Sequence, residues 1–352
     1  MSKKVKKRML QLPLSIAMVV IVALGCLVIT VFSGVKPIFW LIALPSVYVT
    51  VQLTALFHEF GHYLSAVKNG FEVYYFNFSN FIFDKYGKKK FKTSFSSEHL
   101  GEIRFYPKEE GRYHKSLEKA LIGGLLGNCI IAVTLNAVLV LSLLGVFGTA
   151  SPYLSIGFSF SPYALYAWLV NAIAWFHPEN DGSQVLRLRQ NENERQAVDN
   201  FYSIQKSLFV GKSYVDIPKG FFTVEKDVSP SVKIPLTVYA LRRAIESGDD
   251  ALATAIACVL DGEGFADNEI CFELLYKYIT DGNDQKVKEY ESALSFCYGE
   301  TPIEERTLLA YAKYRGDEGY IKTAKPTAIK ICDKQNFCKG DALYNKKLIE
   351  RI

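Results

Sequence analysis

The apolar residues of this 352-residue chain are distributed unevenly, and this constrains its fold more than any other feature. A helix needs about 20 apolar residues to cross the hydrocarbon core of a bilayer. The first half of the chain contains four runs that reach this length: Pro13–Ser33, Ile38–Val67, Ala120–Phe147 and Tyr153–Trp175. The second half has the mixed composition of a soluble protein. The sequence therefore predicts a mainly α-helical, polytopic membrane protein with about four transmembrane helices.

Basic residues predict the orientation of these helices, because cytoplasmic loops carry an excess of lysine and arginine. Five basic residues precede the first run, and eleven occur in the loop Lys68–Lys119. The two opposite loops, residues 34–37 and 148–152, carry only Lys36. We therefore expect both termini to be cytoplasmic. A signal peptide is the alternative for the first run, but its length and its lack of a clear cleavage site favour a retained anchor.

The cysteines and the net charge indicate which cellular compartment and which classes of partner to expect. Seven cysteines, an odd number with no C-x-x-C pair, favour free thiols over a disulfide framework. Free thiols, a lysine-rich N-terminus and short loops suggest the cell membrane of a bacterium. The net charge of +5 is spread among loops and forms no concentrated basic face, so we expect no binding to nucleic acid.

The long cytoplasmic loop contains strand signals. Residues Phe71–Phe78 are rich in aromatic and β-branched side chains. A turn at Tyr86–Lys88 leads to a second candidate strand, Lys90–Phe95, and a third candidate is Glu102–Tyr106. We expect a small β-sheet at the membrane surface over residues 70–107. The alternative is a solvated hairpin without contact to a substrate.

The second half contains a repeat. Gly248, Gly282 and Gly316 are each 34 residues apart within turn-like segments. The residues four positions before them also correspond: Ala244, Tyr278 and Ala312. A 34-residue period of helix, turn and helix resembles tetratricopeptide repeats, which present a surface for a partner. The alternative is an unrelated helical-hairpin domain whose spacing is coincidental.

These patterns divide the chain into three parts. Residues 1–36 form the N-terminal tail and first transmembrane helix. Residues 37–187 form a membrane core of three helices plus the surface β-sheet. Residues 188–352 form a cytoplasmic helical-repeat domain.

The chemistry is concentrated in an H-E-F-G-H motif at residues 58–62, near the cytoplasmic end of the second run. Residues four apart share one face of a helix, so His58 and His62 can bind one Zn²⁺. Glu59 can then accept a proton from a water molecule whose pKa the zinc lowers. Ionisable groups within a membrane are costly and usually functional. The alternative is a chance motif just past the membrane, exposed to the cytosol.

A catalytic zinc keeps three protein ligands and one open position, so the third ligand must come from elsewhere. Asp181 follows the fourth run on the same cytoplasmic side and is the best candidate. His177 and Glu179 are alternative ligands. Asp181 could also be a turn residue before Gly182.

Asn128 is a further candidate, since it lies within the third run and a buried amide in lipid needs a partner. It could hydrogen-bond a substrate carbonyl or an oxyanion. The glycines before it, at positions 123, 124 and 127, could equally be close-packing positions.

Residues 47–188 resemble the site-2 protease family of intramembrane zinc metalloproteases. The motif at residues 58–62 matches the H-E-x-x-H of the family's first core helix. Gly70–Val73 resembles the start of the strand region that follows that helix. Gly124–Asn128 is similar to the small-residue-plus-asparagine motif of the second core helix, without its usual proline.

The family's N-P-x-P-x-x-D-G segment is also similar to residues of this chain, namely Asn171 and Pro178–Gly182. Here the asparagine lies ten residues before the aspartate, and one proline is lost. The resemblance implies zinc ligation by His58, His62 and Asp181, and it makes Asn171 a second candidate for binding the substrate or oxyanion.

The resemblance further implies cleavage of a peptide bond within or next to a transmembrane segment. The substrate would be a membrane-anchored regulator or a peptide precursor, held in part by strand addition to the small sheet. The repeat domain would select it or bind a cytoplasmic protein partner. The alternative is a catalytically silent membrane scaffold that recruits partners through its repeats. The presence of His58, Glu59, His62 and Asp181 together argues against that alternative.

Overall fold

The structure is a computed structural model of the chain. It describes residues 41, 43–78, 81–85, 91–93, 101–109, 111–263, 267–335 and 338–352. These residues are mainly helical and include one small β-sheet. Two compact units are present. The first contains the described residues up to Phe105 and Lys115–Gln190, and the second contains Tyr106–His114 and Asn191–Ile352.

The helices of the first half are α1 to α5: Ala43–Lys68, Tyr113–Leu143, Ser151–Gly157, Pro162–Ala172 and Asp181–Gln190. Among the described residues, α2 is the one helix long and apolar enough to span a membrane. The predicted first transmembrane helix, Pro13–Ser33, lies outside the described residues, as does the start of the second run. The prediction of about four transmembrane helices therefore stays a prediction.

Helix α2 differs in its ends from the predicted run Ala120–Phe147. It begins at Tyr113, so a polar segment precedes its apolar part, and it ends at Leu143. Gly145 and Gly148 follow with φ angles of 74° and 59°. Glycine adopts this left-handed conformation without steric cost, which ends the helix there.

The fourth apolar run is not one helix, so the prediction of a single helix over Tyr153–Trp175 is wrong. It is divided into α3 and α4, with a turn at residues 158–161. Pro162 is the first residue of α4, a position that proline favours because its missing N–H is not needed there, whereas inside a continuous helix it would remove a backbone hydrogen bond. The turn is held to α2, since Asn136 Nδ2 donates to the carbonyl of Ser161 (3.0 Å) and Ser161 Oγ donates to Asn136 Oδ1 (3.2 Å).

The strands are β1 Phe71–Phe78, β2 Phe81–Asp84, β3 Phe91–Thr93 and β4 Gly101–Pro107. They form one sheet in the order β3-β2-β1-β4, in which β1 pairs antiparallel with β2, and β2 with β3. Phe76 lies opposite Phe83, and Ile82 opposite Lys92.

Two of the three predicted strands match β1 and β4 closely, and the third, Lys90–Phe95, contains β3. The prediction missed β2, because four residues are too few for alternation to be recognised. The predicted turn Tyr86–Lys88 lies outside the described residues. Helix α1 packs against β1, and Gly70 with a φ of 85° makes the turn between them.

The second half contains helices α6 to α13: Glu192–Phe209, Pro230–Ser247, Asp250–Glu263, Asn268–Thr280, Asp284–Tyr290, Pro302–Arg315, Glu318–Lys334 and Lys339–Arg351. Helices α7 and α8, α9 and α10, and α11 and α12 form three successive helical hairpins. Apolar clusters around Leu236, Leu274 and Leu309 pack between the helices.

The 34-residue period corresponds to one repeated turn structure. The three glycines are left-handed, with φ angles of 73°, 67° and 74°. In each hairpin the N–H of the next residue donates to the carbonyl four residues before the glycine, at 2.9–3.0 Å: Asp249 to Ala244, Asn283 to Tyr278, and Asp317 to Ala312. The side chains of these same three residues cap the following helix by accepting from the N–H groups of Leu252, Lys286 and Tyr320. The hairpins therefore turn in the same way.

A buried ion-pair network lies between these helices. Glu273 is fully buried and contacts Arg242 Nε at 2.8 Å and Arg306 Nη2 at 2.9 Å. Burial raises the pKa of the Glu273 carboxyl, but the charges of Arg306 and Arg242 outweigh burial and hold its pKa below the ordinary 4.5. The ionised form of Glu273 therefore stabilises the fold at neutral pH.

We expect Glu273→Gln to lower the free energy of unfolding by about 3–5 kcal/mol at pH 7, because the buried Arg306 loses its carboxylate partner and the buried Arg242 keeps only Asp341 and Glu269. The pKa is depressed in the folded state, so this contribution is complete above the ordinary carboxyl pKa and is lost as the pH falls through the folded pKa. Urea unfolding of the full chain at pH 7 and pH 4, followed by circular dichroism, should show a smaller difference at pH 4. Glu269→Gln is the matched control, since Glu269 is 67% exposed and lies 3.5 Å from Arg242. It should cost less than about 1 kcal/mol. Equal effects of the two variants would contradict the account.

Candidate metal centre

Three side chains converge in the first unit. His58 and His62 lie one turn apart on α1, and their Nε2 atoms are 3.1 Å apart. Asp181 is the first residue of α5, and its Oδ2 lies 3.4 Å from His58 Nε2 and 3.3 Å from His62 Nε2. We call these three residues the three-ligand cluster. The side chains are 16%, 8% and 13% exposed, so water covers little of the cluster.

Helix α2 holds both imidazole rings by its backbone. His58 Nδ1 donates to the carbonyl of Gly124 (3.2 Å), and His62 Nδ1 donates to the carbonyl of Ala120 (2.9 Å). A carbonyl oxygen only accepts, so each Nδ1 carries a hydrogen. In the neutral rings the lone pair is then on Nε2, which faces the cluster. Contacts of this kind orient histidine ligands in metal sites.

The donor atoms of the cluster suit a metal ion. Two imidazole lone pairs and a carboxylate oxygen face one another, and Asp181 Oδ2 is buried without a hydrogen-bond partner among the described residues. A positive charge is needed to hold them together, either a proton or a metal ion. Ligands about 2.0–2.1 Å from a tetrahedral Zn²⁺ lie about 3.3–3.5 Å apart. The separations of 3.1, 3.3 and 3.4 Å come close to this, so these residues fit such an ion.

Asn180 and Ser183, whose roles were not predicted from the sequence, hold the segment before α5 in place by hydrogen bonds. Asn180 Nδ2 donates to the carbonyls of Val170 (2.5 Å) and Ile173 (2.9 Å), and Asn180 Oδ1 accepts from the N–H of Ser183 (2.8 Å). Ser183 Oγ also donates to the carbonyls of Ala174 and His177. The Asn180 side chain thus supplies hydrogen-bond partners to backbone carbonyls at the end of α4 and to a backbone N–H at the start of α5. The sequence signal for this is an N-cap residue directly before Asp181.

Glu59 follows His58 on α1, is 8% exposed, and its carboxyl group interacts electrostatically with His62 and Asp181. Its side chain lies against Gly101, the first residue of β4. A β-carbon built on Gly101 would lie 2.5 Å from Glu59 Cγ and 2.6 Å from Glu59 Oε1. The absence of a side chain at Gly101 therefore leaves room for the Glu59 carboxylate.

Glycines allow α1 and α2 to approach closely. A β-carbon on Gly61 or Gly123 would overlap the backbone of the other helix, and one on Gly127 would overlap the carbonyl of Phe57. Gly124 has a separate role, because a β-carbon there would overlap the His62 ring. The close-packing interpretation of Gly123 and Gly127 is consistent with this arrangement, whereas Gly124 makes room for a candidate ligand.

We expect Gly124→Ala to lower the metal content of the purified protein, since the added methyl group displaces the His62 ring from the cluster. Loss of ring orientation in metal sites typically costs 10–100-fold in metal affinity, and we expect an effect of about that size. Gly157→Ala is the control, because a β-carbon there contacts nothing within 4 Å. Metal analysis after dialysis against a fixed zinc concentration compares the two. Normal metal content in Gly124→Ala would show that the ring tolerates the methyl group.

The other predicted residues lie outside the three-ligand cluster. His177 Nδ1 accepts from the N–H of Glu179 (3.2 Å), and the Glu179 carboxylate pairs with Arg187 (3.4 Å). No hydrogen bond joins the Asn171 side chain to the cluster among the described residues, and its carbonyl lies beside Gly182. Asn128 is buried and contacts His58, with Nδ2 3.0 Å from His58 Nδ1.

Comparison with known proteins identifies no relative. No protein-family model, no curated protein and no solved structure matches this chain. The resemblance to site-2 proteases therefore rests on the motifs of the sequence.

Proposed function

We propose that this chain is a zinc metalloprotease that hydrolyses a peptide bond within or next to a transmembrane segment. The observation that carries the proposal is the convergence of His58 Nε2, His62 Nε2 and Asp181 Oδ2 beside the buried carboxylate of Glu59. Two imidazoles and one carboxylate are a ligand set typical of catalytic zinc, whose fourth position stays open. The metal identity and the activity are both part of the proposal.

Each residue of the proposed site would have its own role in catalysis. His58, His62 and Asp181 would hold the zinc, which acts as a Lewis acid and lowers the pKa of a bound water molecule. Glu59 accepts the proton of the attacking water on its carboxylate and returns it to the leaving amine nitrogen. General acid–base catalysis of this kind contributes about 10²–10⁴-fold in rate. The low exposure of the site strengthens these electrostatic interactions.

Membrane location is supported by the apolar composition of α2 and by the four apolar runs of the sequence. A multi-pass protein of a bacterial cell membrane with cytoplasmic termini accounts for the distribution of basic residues. The substrate would be a membrane-anchored regulator or peptide precursor. A transmembrane substrate must unwind before cleavage, because a helix keeps its amides hydrogen-bonded. Strands β3 and β4 are the outer strands of the sheet formed by the described residues, and one of them would hold the unwound strand by backbone pairing.

The three helical hairpins support a tetratricopeptide-like role for the second unit. Repeats of this kind bind partner proteins on a shared surface. We infer that the hairpins select the substrate or bind a cytoplasmic protein. Charge-reversing substitutions on the exposed faces of α8 and α10 should then reduce cleavage of the native substrate and leave cleavage of an unrelated transmembrane peptide unchanged. Unchanged cleavage of the native substrate in these variants would remove the substrate-selecting role.

Metal analysis of the purified full chain tests the proposed centre. We expect about one zinc per chain, and we expect removal by a chelator to abolish cleavage that added Zn²⁺ then restores. A chain that cleaves equally well without metal, or that binds none, would exclude the proposed function.

A further inference from the structure

Asn128 lies behind His58 rather than at the face where a substrate would be cleaved. Its side chain is 1% exposed, and its amide nitrogen lies 3.0 Å from His58 Nδ1. The cluster lies on the other side of the ring, where His58 Nε2 faces Asp181. This position differs from the expectation that Asn128 hydrogen-bonds a substrate carbonyl or an oxyanion.

The surroundings of His58 Nδ1 contain a conflict of hydrogens. The carbonyl of Gly124, 3.2 Å away, requires a hydrogen on Nδ1. The Asn128 Nδ2 group also carries hydrogens, so two donors would face each other at 3.0 Å. At the same time Asn128 Oδ1 is buried and has no hydrogen-bond partner among the described residues. The oxygen and nitrogen of an amide exchange places when the group turns by half a rotation. That turn removes the conflict and gives Oδ1 a donor.

We propose that Asn128 is a positioning residue whose side-chain oxygen accepts the Nδ1 hydrogen of His58, sharing it with the carbonyl of Gly124. This inference rests on the proposed zinc-dependent function. With Oδ1 toward the ring, the hydrogen stays on Nδ1 and the lone pair of Nε2 faces the metal. With Nδ2 toward the ring, the amide favours a lone pair on Nδ1 and a hydrogen on Nε2, facing Asp181, and it then opposes the carbonyl of Gly124, which favours a hydrogen on Nδ1. The orientation of one buried amide is thereby linked to metal binding.

This role predicts an effect on metal affinity and not only on turnover. Partners that hydrogen-bond the second nitrogen of a histidine ligand typically contribute 10–100-fold to metal affinity. We expect Asn128→Leu and Asn128→Ala to weaken zinc binding by about that factor. Asn128→Asp keeps an acceptor at the same place, so it should retain wild-type affinity or bind more tightly. A residue acting on the substrate would instead change kcat and leave zinc affinity unchanged.

The experiment is a competition between the purified full chain and a chromophoric zinc chelator in detergent, without substrate. The absorption of bound Co²⁺, whose intensity reports ligand geometry, is recorded on the same samples. Thr134→Val is the matched control, because Thr134 is on the same helix and its hydroxyl donates to the Ile130 carbonyl of that helix. Thermal unfolding of each metal-free variant shows that it is folded.

Weaker zinc binding in Asn128→Leu and Asn128→Ala, with affinity retained in Asn128→Asp and Thr134→Val, is the expected result. Unchanged affinity in either folded apolar variant overturns the inference, and so does an equal loss in Asn128→Asp. If the wild-type chain itself binds no zinc, the proposed function fails first, so the two failures are distinguishable.

Discussion

Replacing Glu59 with glutamine is expected to slow peptide cleavage by about 10²–10⁴-fold while zinc stays bound. Glutamine keeps the shape of the side chain beside Gly101, but it cannot accept the proton of the attacking water. The zinc ligands are His58, His62 and Asp181 in this account, so the metal content of the variant should equal that of the wild type. Initial rates on a reconstituted transmembrane substrate, with zinc measured on the same preparation, check both statements.

Glu118→Gln is the matched control for this experiment. Glu118 is on α2 in the same unit, where it pairs with Arg189 at 2.6 Å. Its replacement should leave the cleavage rate within the error of the wild type. An unchanged product pattern in Glu59→Gln would remove the catalytic role of Glu59. Loss of zinc together with activity would instead mean that Glu59 maintains the structure of the site.

Asp181→Asn should weaken zinc binding by at least about 100-fold and reduce cleavage in parallel. Loss of a partner that merely orients a ligand typically costs 10–100-fold, so loss of a charged ligand should cost more. Among the described residues, the buried Asp181 Oδ2 has no hydrogen-bond partner, so no other group would take the place of the metal. Chelator competition measures the affinity, and rates at saturating zinc measure the remaining activity.

Two further variants decide between Asp181 and its neighbours. His177→Ala and Glu179→Gln should keep zinc affinity close to that of the wild type, because His177 accepts a backbone N–H and Glu179 pairs with Arg187. A larger loss of affinity in His177→Ala than in Asp181→Asn would assign the third ligand to His177.

The sequence was sufficient to find the chemistry that depends on local spacing. His58 and His62 are four positions apart, and any regular helix places such a pair on one face. The 34-residue period likewise predicted turns at Gly248, Gly282 and Gly316, and the structure adds that all three glycines are left-handed. Strand β1 was predicted from its aromatic and β-branched composition.

Features that depend on contacts between distant segments were not predictable. Which side of the His58 ring Asn128 occupies is decided by how α1 and α2 cross, and this cannot be read from either segment alone. The position of Asp181 depends on the neighbouring Asn180, whose side chain donates to carbonyls at the end of α4. These carbonyls are available only because that helix ends there. The division of the fourth apolar run into two helices was not predicted, because apolar composition does not indicate the turn before Pro162.

One measurement tests the central claim most directly: the new peptide termini generated in membranes that contain the wild-type chain or Glu59→Gln at equal levels. We predict that the wild-type membranes contain termini within or next to transmembrane segments, that chelation removes them, and that Glu59→Gln membranes accumulate the uncut proteins instead. Identical sets of termini in the two membranes would contradict the assignment of this chain as an intramembrane zinc protease.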